Sequence, residues 1–573
     1  MKRINNKIIV IWILMGVGLF IQSCHIGVTD PNQPTTDVLN SAVGILAFAK
    51  GGPYNGAFSS GTSASYYPTL DDALGEGELS IVQAFYESMG DLIFCPYGNS
   101  DFKFLDNPTS WVLDDGSTVL NPIGQGQPHE IKLRNDRAYG ATNSMLHEWT
   151  YMYVLNNNAN QLLADIDGTT FTGDQTTIKA VLKAWAYWWK GYAYSKIGSL
   201  YIAGVIDDMP NQTNGNYVTN AAILTEATKN FNAAITVLQT LSVNDAYTNT
   251  LQTIIPGTSL SGSAYMNAGV PTPTEWIHSI NTMMARNIVA NSRVADLQAS
   301  DWNNVLTLTN GGLKQKEVAF VVRSFGDDTK SPVGKDDGTP GLLCAIGGSG
   351  GYGSSTFFIS ERFVQDFRSG DKRLAQNIGD LGSSAFINAR SRGISFGTRW
   401  YLIDGGSGMA GTLVYTHSSQ TGVGVDDTYI GPSYEENVLM AAEAKIRTGD
   451  TNGGLALLDQ VRTWQGSGLA AISGTGLTQI QALEELRSER RVALFGRGIA
   501  FYDARRLGIL DDVSKGGGRT NAVVLSPKVG GGFITNIKAT INYNYLSYFD
   551  VPATDVVFNA PATGSAPIVF NPH

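Results

Sequence analysis

At 573 residues and 61.4 kDa the chain exceeds one ordinary domain of about 100–200 residues, so several domains or one large repeat-built body is expected. Charged residues are 16% of the chain against a usual ~25%, and hydrophobic residues are 43%, which excludes a disordered tail protein, a coiled coil and a disulfide miniprotein. Lys+Arg 40 against Asp+Glu 50 leaves a net charge of −10, a surface that phosphate backbones repel, so nucleic acid is excluded as the expected partner. Aromatic residues at 10% and 65 glycines suit neutral, hydroxyl-rich ligands, which stack sugar C–H faces on rings and give their hydroxyls to amides and carboxylates.

In chain order, residues 1–23 have a signal-peptide layout: Lys2, Arg3 and Lys7, an unbroken apolar run over 8–21, and Ser23 just before Cys24. As a helix that run reaches about 21 Å, short of a ~30 Å hydrocarbon core, so a permanent membrane span is not expected. Ile21-Gln22-Ser23-Cys24 resembles a bacterial lipobox, in which the thiol is lipidated and becomes the new N-terminus, although Gln22 departs from the usual small or apolar residue. A plain secreted chain cleaved here is the alternative, and it would leave Cys24 as an odd free thiol. Removing the three leader cations takes the net charge from −10 to −13. Residues 24–40, with Asp30, Pro31 and Pro34, read as a tether, and 41–573 as the folded body. Cys95 and Cys344 are equally compatible with a disulfide or with two buried thiols.

Residues 41–130 and 311–430 are rich in Gly, Ser, Asn and aromatics and read as long irregular excursions carrying a few short strands, such as one over 317–323. Helical spacing dominates 137–310. Met145, Trp149, Met152, Leu155, Ala159 and Leu162 form one stripe, and Ile178, Val181, Trp185, Trp189 and Tyr192 a second. A third runs from Ile223 to Leu241 and a fourth from about Thr274 through Ile288. Between 432 and 510 come helices over 434–447, closed by Gly449, and 451–464, opened by Asp450 or Thr451. A capping box at Thr478-Gln479-Ile480-Gln481 opens another, with Ile480, Leu483, Leu486 and Ala493 on its apolar side. The expected fold is therefore mainly α, a tetratricopeptide-like scaffold of helix pairs interrupted by loop excursions. Ligand recognition is expected on the excursions and scaffolding in the helices.

Several motif fragments carry no chemistry. The tract Gly347-Gly348-Ser349-Gly350-Gly351 matches a nucleophile elbow and, with Gly353, a dinucleotide fingerprint, but about one such three-glycine match is expected by chance at this glycine content, and no clear helix follows. His147-Glu148 begins a zinc-protease motif whose second histidine is replaced by Tyr151. The Asp pairs at 71–72, 114–115, 327–328 and 336–337 do not continue as calcium loops. Glu484-Glu485 are adjacent on a helix and do not face one another across a bond, so they read as partners for arginines. The dense set Arg487, Glu489, Arg490, Arg491, Arg497, Asp503, Arg505 and Arg506 points to partly buried ion pairs joining helices. No catalytic set and no metal or cofactor site is expected.

Several collinear blocks resemble the SusD/RagB-like outer-membrane lipoproteins of Bacteroidetes. Residues 434–444 with 458–462 are similar to that family's "EvyLmyAEA … lN.vR" block. Residues 483–508, with Glu489-Arg490-Arg491 and Tyr502-Asp503-Ala504-Arg505-Arg506, resemble "ER..El..EG.R..Dl.RwG", although Arg497 stands where an acidic residue is usual. Asn160, Ala184-Trp185-Ala186-Tyr187, Asp301-Trp302 and the Asp371-Lys372-Arg373 turn are similar to further family blocks.

The resemblance implies a single large helical domain, lipid-anchored at the cell surface, that captures glycans or sometimes peptides without cleaving them. The implied partner is a SusC-like TonB-dependent transporter. A surface glycoside hydrolase is the competing reading from another class. The resemblance also implies ligand contacts from an N-terminal loop and from the loop before the Asp371 turn, stretches that hold Asp71, Asp72, Tyr97, Asn99, Trp111 and Tyr352. Separately, Trp111 lies beside the Asp114-Asp115-Gly116 turn and outside any helical stripe, and Tyr352 has glycine on both sides. By contrast Trp149, Trp185 and Trp189 sit in stripes and are expected in the core.

Overall fold

The computed structural model describes residues 41–50, 78–94, 104–121, 126–255, 265–323, 358–384, 386–387, 397–402 and 427–571, with Leu39, Leu260 and Gly262. Helices α1 (Ala42–Lys50) and α2 (Glu78–Met89) lead into a long helical run. That run is α3 (Leu146–Asp165), α4 (Gln175–Leu200), α5 (Asn220–Leu238), α6 (Asp245–Ile254), α7 (Pro273–Ala290) and α8 (Ala299–Asn310). The C-terminal part holds α9 (Tyr434–Arg447), α10 (Thr451–Trp464), α11 (Gln479–Ala493), α12 (Ala500–Arg506) and α13 (Ala553–Phe558). The fold is mainly α, and its long helices pack in successive pairs: α3 on α4, α4 on α5, α7 on α8, and α9 on both α10 and α11.

Helix starts follow from side-chain caps that satisfy otherwise orphaned backbone N–H groups. Asp174 accepts from Thr177 N at 3.1 Å, Thr272 and Thr478 form full capping boxes with Glu275 and Gln481, and Asp450 accepts from Gly453 N at 2.9 Å. Helix α9 ends where Gly449 adopts a φ of 101°, a left-handed backbone that glycine takes without penalty. The expected 434–447 and 451–464 helices are found with those bounds. Ile480 differs: it is 81% exposed on the first turn of α11, while Ala482 and Leu486 are buried. A residue one position into a helix has left the stripe that Ala482, Leu486 and Ala493 define.

Two features depart from the sequence reading. The expected excursion 41–130 holds α1, α2 and a further helix Gly126–Leu133, and α6 lies between the third and fourth stripes, where the sequence marked no element. The strands are also more than short loop ornaments. One sheet has six strands in the order Thr118–Leu120, Ser110–Val112, Phe533–Asn542, Arg519–Pro527, Gly397–Thr398 and Phe386–Ile387. Its centre is a long C-terminal hairpin that pairs antiparallel, with Leu525 opposite Thr535. A second sheet of four short strands contains Ile93–Phe94 and Phe358–Ile359 paired antiparallel.

The main core runs from Ile45 through the tryptophans of α4 to Val551, so N-terminal, central and C-terminal segments share one apolar interior. Trp149, Trp185 and Trp189 are 3%, 0% and 0% exposed, as their stripes required. The same interior holds Glu87 of α2, fully buried, with Oε1 accepting from Gly498 N at 2.9 Å. Burial pushes this carboxyl up to about 7, against the pull of the Gly498 and Gly496 amides and of Arg491 and Arg497. A folded-state value above the unfolded one means that the group's stabilisation is full below about pH 4.3 and is lost as pH rises towards 7. Glu87→Gln is therefore expected to gain about 1–3 kcal/mol over wild type at pH 8 and nothing at pH 4. Urea midpoints across that range check it, and parallel pH profiles for the two proteins would refute it.

Candidate functional site

A cleft of about 280 Å³ lies between α3, the 205–213 segment that follows strand Ala203–Val205, and α13. Its aromatic lining is the half-buried Tyr153, packed one turn along α3 against the buried Trp149 with ring centroids 4.6 Å apart. One turn further on, Asn156, Asn157 and Asn160 carry amides to the same lip. The opposite side is Asp555 and Asn559.

Hydrogen bonds hold these groups in place. Asn156 and Asn160 each donate from Nδ2 to the Asp207 carbonyl at 2.9 Å, and Tyr194 donates to the same oxygen at 3.0 Å. Lys190 Nζ donates to Asn160 Oδ1 at 2.5 Å and to Asp208 Oδ1 at 2.7 Å, which fixes the amide's orientation. Asn211, with a φ of 56°, turns its N–H onto Asn157 Oδ1 at 2.7 Å. Asn156 is 1% exposed and its Oδ1 has no hydrogen-bond partner among the described residues.

Two carboxyls face this cleft. Burial raises Asp207 above the usual carboxylate range, and the negative charges of Asp208 and Asp555 add to the effect. Burial likewise raises Asp555, whose Oδ2 accepts from the Tyr217 hydroxyl at 2.6 Å. A cleft walled by amides, by two partly desolvated carboxyls and by Tyr153 offers acceptors and donors to hydroxyl groups and no strong charge to an ion. Among the described residues no group of three or more His, Cys, Asp or Glu side chains could hold a metal ion.

Residues 434–560 match the model of the SusD family. Over most of its length the chain also has the architecture of solved SusD-like structures. The C-terminal part of the chain matches the SusD family, and the chain as a whole has the SusD-like fold. A SusD-like carbohydrate-binding protein from Bacteroides fragilis NCTC 9343 aligns with a TM-score of 0.57 at 14% identity, covering 92% of this chain and all of that one, 100%. Another, from Bacteroides vulgatus ATCC 8482, aligns with a TM-score of 0.52 at 13% identity over 91% of this chain and 98% of that one. A structure described with xylogluco-oligosaccharide gives 0.53 at 14% identity, covering 92% and 99%. At such identities the likeness is one of fold. No curated protein matches the sequence.

In this SusD-like chain the blocks that carry the resemblance are structural. Arg373 of the Asp371 turn is fully buried, bonded to Asp371 and to Glu489 of α11, and Arg462 of α10 reaches the same Glu489 at 2.8 Å. Glu484 binds Arg487, and Glu485 binds Arg462 and Arg368, the arginine partners expected for that pair. Arg497 lies 4.5 Å over the Tyr429 ring. His147 and Glu148 are buried, and Glu148 accepts from the Tyr86 hydroxyl at 2.7 Å. Asp114 binds the backbone N–H groups of Ile537 and Lys538, which accounts for it as a turn anchor.

Of the expected ligand residues, Trp111 is corrected. It is 1% exposed in the middle of strand Ser110–Val112, opposite Ile541 on one side and Val119 on the other. Strand alternation turns Val112 outward and the tryptophan into the core, so its ring presents no face to a ligand. Asp71, Asp72, Tyr97, Asn99, Tyr352 and the lipidation site Cys24 lie outside the described residues, as do Cys95 and Cys344. The amide cleft itself was only partly legible: Asn156-Asn157-Asn158-Ala159-Asn160 is a conspicuous run of amides on a helix that otherwise buries its stripe. No helix of the described residues is long and apolar enough to cross a membrane.

Proposed function

We propose that this SusD-like protein is a non-catalytic glycan-binding lipoprotein of the cell surface, which hands oligosaccharide to a TonB-dependent outer-membrane transporter. The observation that carries the reading is the amide and carboxyl cleft lined by Tyr153, whose chemistry suits hydroxyl-rich, uncharged ligands. The carbohydrate-binding neighbours of the same fold add support. The excursion residues Tyr97, Asn99 and Tyr352, with Asp71 and Asp72 as hydroxyl acceptors, are proposed to contribute further ligand contacts.

A glycan array beside a peptide panel tests the reading. Retention of neutral oligosaccharides is expected, and peptide retention alone would reassign the ligand. Asn157→Ala, a half-buried amide at the cleft lip, is expected to weaken oligosaccharide binding by about 1 kcal/mol in calorimetry, the worth of one hydrogen bond, with an unchanged melting temperature. Reducing-sugar release from any array hit, abolished by a single carboxylate substitution, would promote the hydrolase reading instead.

Anchoring is proposed to run through an acyl group on Cys24, each buried CH₂ contributing about 0.8 kcal/mol. Cys24→Ala is expected to move the protein from the membrane fraction to the soluble one. Retention of the variant in membranes of cells lacking the transporter would sink the lipoprotein proposal.

A further inference from the structure

A second cleft, about 470 Å³, opens on the other side of the C-terminal ion network, between the 365–368 turn, α11 and the start of strand Arg519–Pro527. Its volume falls in the range of small-molecule sites, about 300–1,000 Å³. At its base Asp366, 2% exposed, accepts from Arg487 Nη2 at 2.8 Å and from Arg491 Nε at 2.6 Å. A third guanidinium, Arg519, stands 3.5 Å from the same carboxylate. Three cations thus surround one carboxylate. Glu484 also pairs with Arg487, but Arg491 and Arg519 share the single Asp366, so three guanidiniums meet two carboxylates here.

The hydrogen bonding agrees. Arg519 donates through Nη2 to the Arg362 carbonyl at 2.9 Å and to Asp366 Oδ1 at 3.5 Å, and its Nε and Nη1 have no acceptor among the described residues. Arg368, at the rim, binds Glu485 through Nε, and its two Nη groups have none either. Burial lowers the Arg519 pKa, and repulsion from Arg491 and Arg487 adds to it, against the opposing pull of Asp366 and Tyr543.

Structural arginines of this protein look different. Arg506 and Arg373, in the same C-terminal network, spend their guanidinium donors on carboxylates and amides of neighbouring elements and are 3% and 0% exposed. A staple needs its charges matched, and this cleft leaves guanidinium donors of Arg368 and Arg519 unmatched, on side chains 32% and 16% exposed, in a protein whose net charge is −10. Such a fork, partly removed from water, fits the oxygens of a carboxylate or a sulfate monoester in bidentate fashion. Thr520 and Asn521, both at the same mouth, add polar groups beside it.

We infer that the cleft lined by Arg368, Arg487 and Arg519 is a subsite for an anionic substituent, a uronate carboxylate or a sulfate ester, of an oligosaccharide. The inference rests on the glycan-binding reading and narrows its ligand class.

The test is calorimetry of the mature protein with trigalacturonate, with its uncharged methyl ester, and with a neocarrageenan tetrasaccharide that carries sulfate but no carboxylate. At least one of the two anionic oligomers is expected to bind, about tenfold or more tighter than the ester, with an affinity that falls as salt is raised. The oligomer that binds identifies the anion. Arg519→Gln is expected to lose about tenfold in affinity for it. Arg368→Gln, at a more exposed position where folding is not at risk, is expected to lose severalfold, with the melting temperature unchanged. Equal affinity for trigalacturonate and its ester without sulfate binding, no binding of either anionic oligomer, or full affinity in the Arg368→Gln and Arg519→Gln variants would each overturn the inference. Neutral glycans held on the array in those same cases would leave the broader glycan-binding reading standing, whereas an array with no glycan hit of any kind would remove that reading.

Discussion

Trp185→Ala is expected to lower the free energy of unfolding by about 3–5 kcal/mol, the usual cost of truncating a buried large aromatic. Trp185 is 0% exposed near the middle of α4, the longest helix among the described residues, and meets Trp189, Trp276 and Phe320 edge to face at centroid separations of 5.5, 6.2 and 5.7 Å. Those partners come from α4 itself, from α7 and from the segment leading into strand Val321–Arg323, so the cavity left by alanine would open between three elements. The indole N–H also donates to the Ala49 carbonyl at the end of α1, at 3.0 Å, so the same substitution orphans a buried acceptor. Trp185→Phe separates the two effects: it keeps much of the volume, loses the hydrogen bond, and is expected to cost less than half as much. Urea unfolding at constant m-value reads both. A Trp185→Ala protein within about 1 kcal/mol of wild type would mean that this aromatic cluster is not the keystone its packing implies.

That tryptophan was legible in the sequence because a helix buried on one face repeats its apolar residues every three or four positions, and α3, α4, α5 and α7 all do so. The caps of α10 and α11 were legible because the capping side chain stands at a fixed offset, as at Asp450 and Thr478. Helix α2 was missed for the opposite reason. It buries residues on most of its surface, Val82, Gln83, Ala84, Phe85, Tyr86 and Glu87 in succession, so no amphipathic period marks it. The C-terminal hairpin was missed because its burial is broken by register shifts near Ala522 and by polar residues facing water, which dilutes strict alternation. Trp111 was misread because a three-residue strand is too short to show a period at all, and only its pairing with Ile541, 430 positions later in the chain, decides which way the ring points.

The two clefts follow the same logic. Each is assembled from segments far apart in sequence: Asn157 with Asp555, and Asp366 with Arg519. The clustering of charge over 484–506 showed that arginines and carboxylates would meet, but not that the set divides into a closed network on one side and an under-compensated cleft on the other. That division depends on where the 365–373 turn and the Arg519 strand dock against α11, a tertiary fact with no local signal.

The closed side makes the last expectation quantitative. Arg506 of α12 donates from Nη1 and Nη2 to Glu443 of α9 at 2.8 and 2.7 Å, and from Nε to Asp503 at 2.7 Å. Arg447 also reaches Glu443, at 2.9 Å, and Arg490 holds Asp503. Burial raises the Glu443 pKa, but Arg506 and Arg447 outweigh it and hold the carboxyl at about 2. Its folded-state value is depressed, so its contribution is present above the unfolded value of about 4.3 and is lost as pH falls through about 2. Arg506→Met removes the dominant partner and leaves a buried carboxylate short of charge, which is expected to cost about 3–5 kcal/mol at pH 7. The variant's Glu443, no longer held ionised, should take up a proton more readily than wild type, so the deficit is expected to narrow as pH is lowered from 7 towards 4. Combining Arg506→Met with Glu443→Gln removes both members of the pair and is expected to recover much of the loss at pH 7, because most of the cost of the single change lies in the stranded charge and not in the lost bond. Urea midpoints for the wild type, the two single variants and the double variant close the cycle. A double variant no more stable than Arg506→Met alone, with a deficit independent of pH, would mean that the arginine acts through packing between α9 and α12, its buried methylenes filling the space between the helices, and that the ion pair itself contributes little.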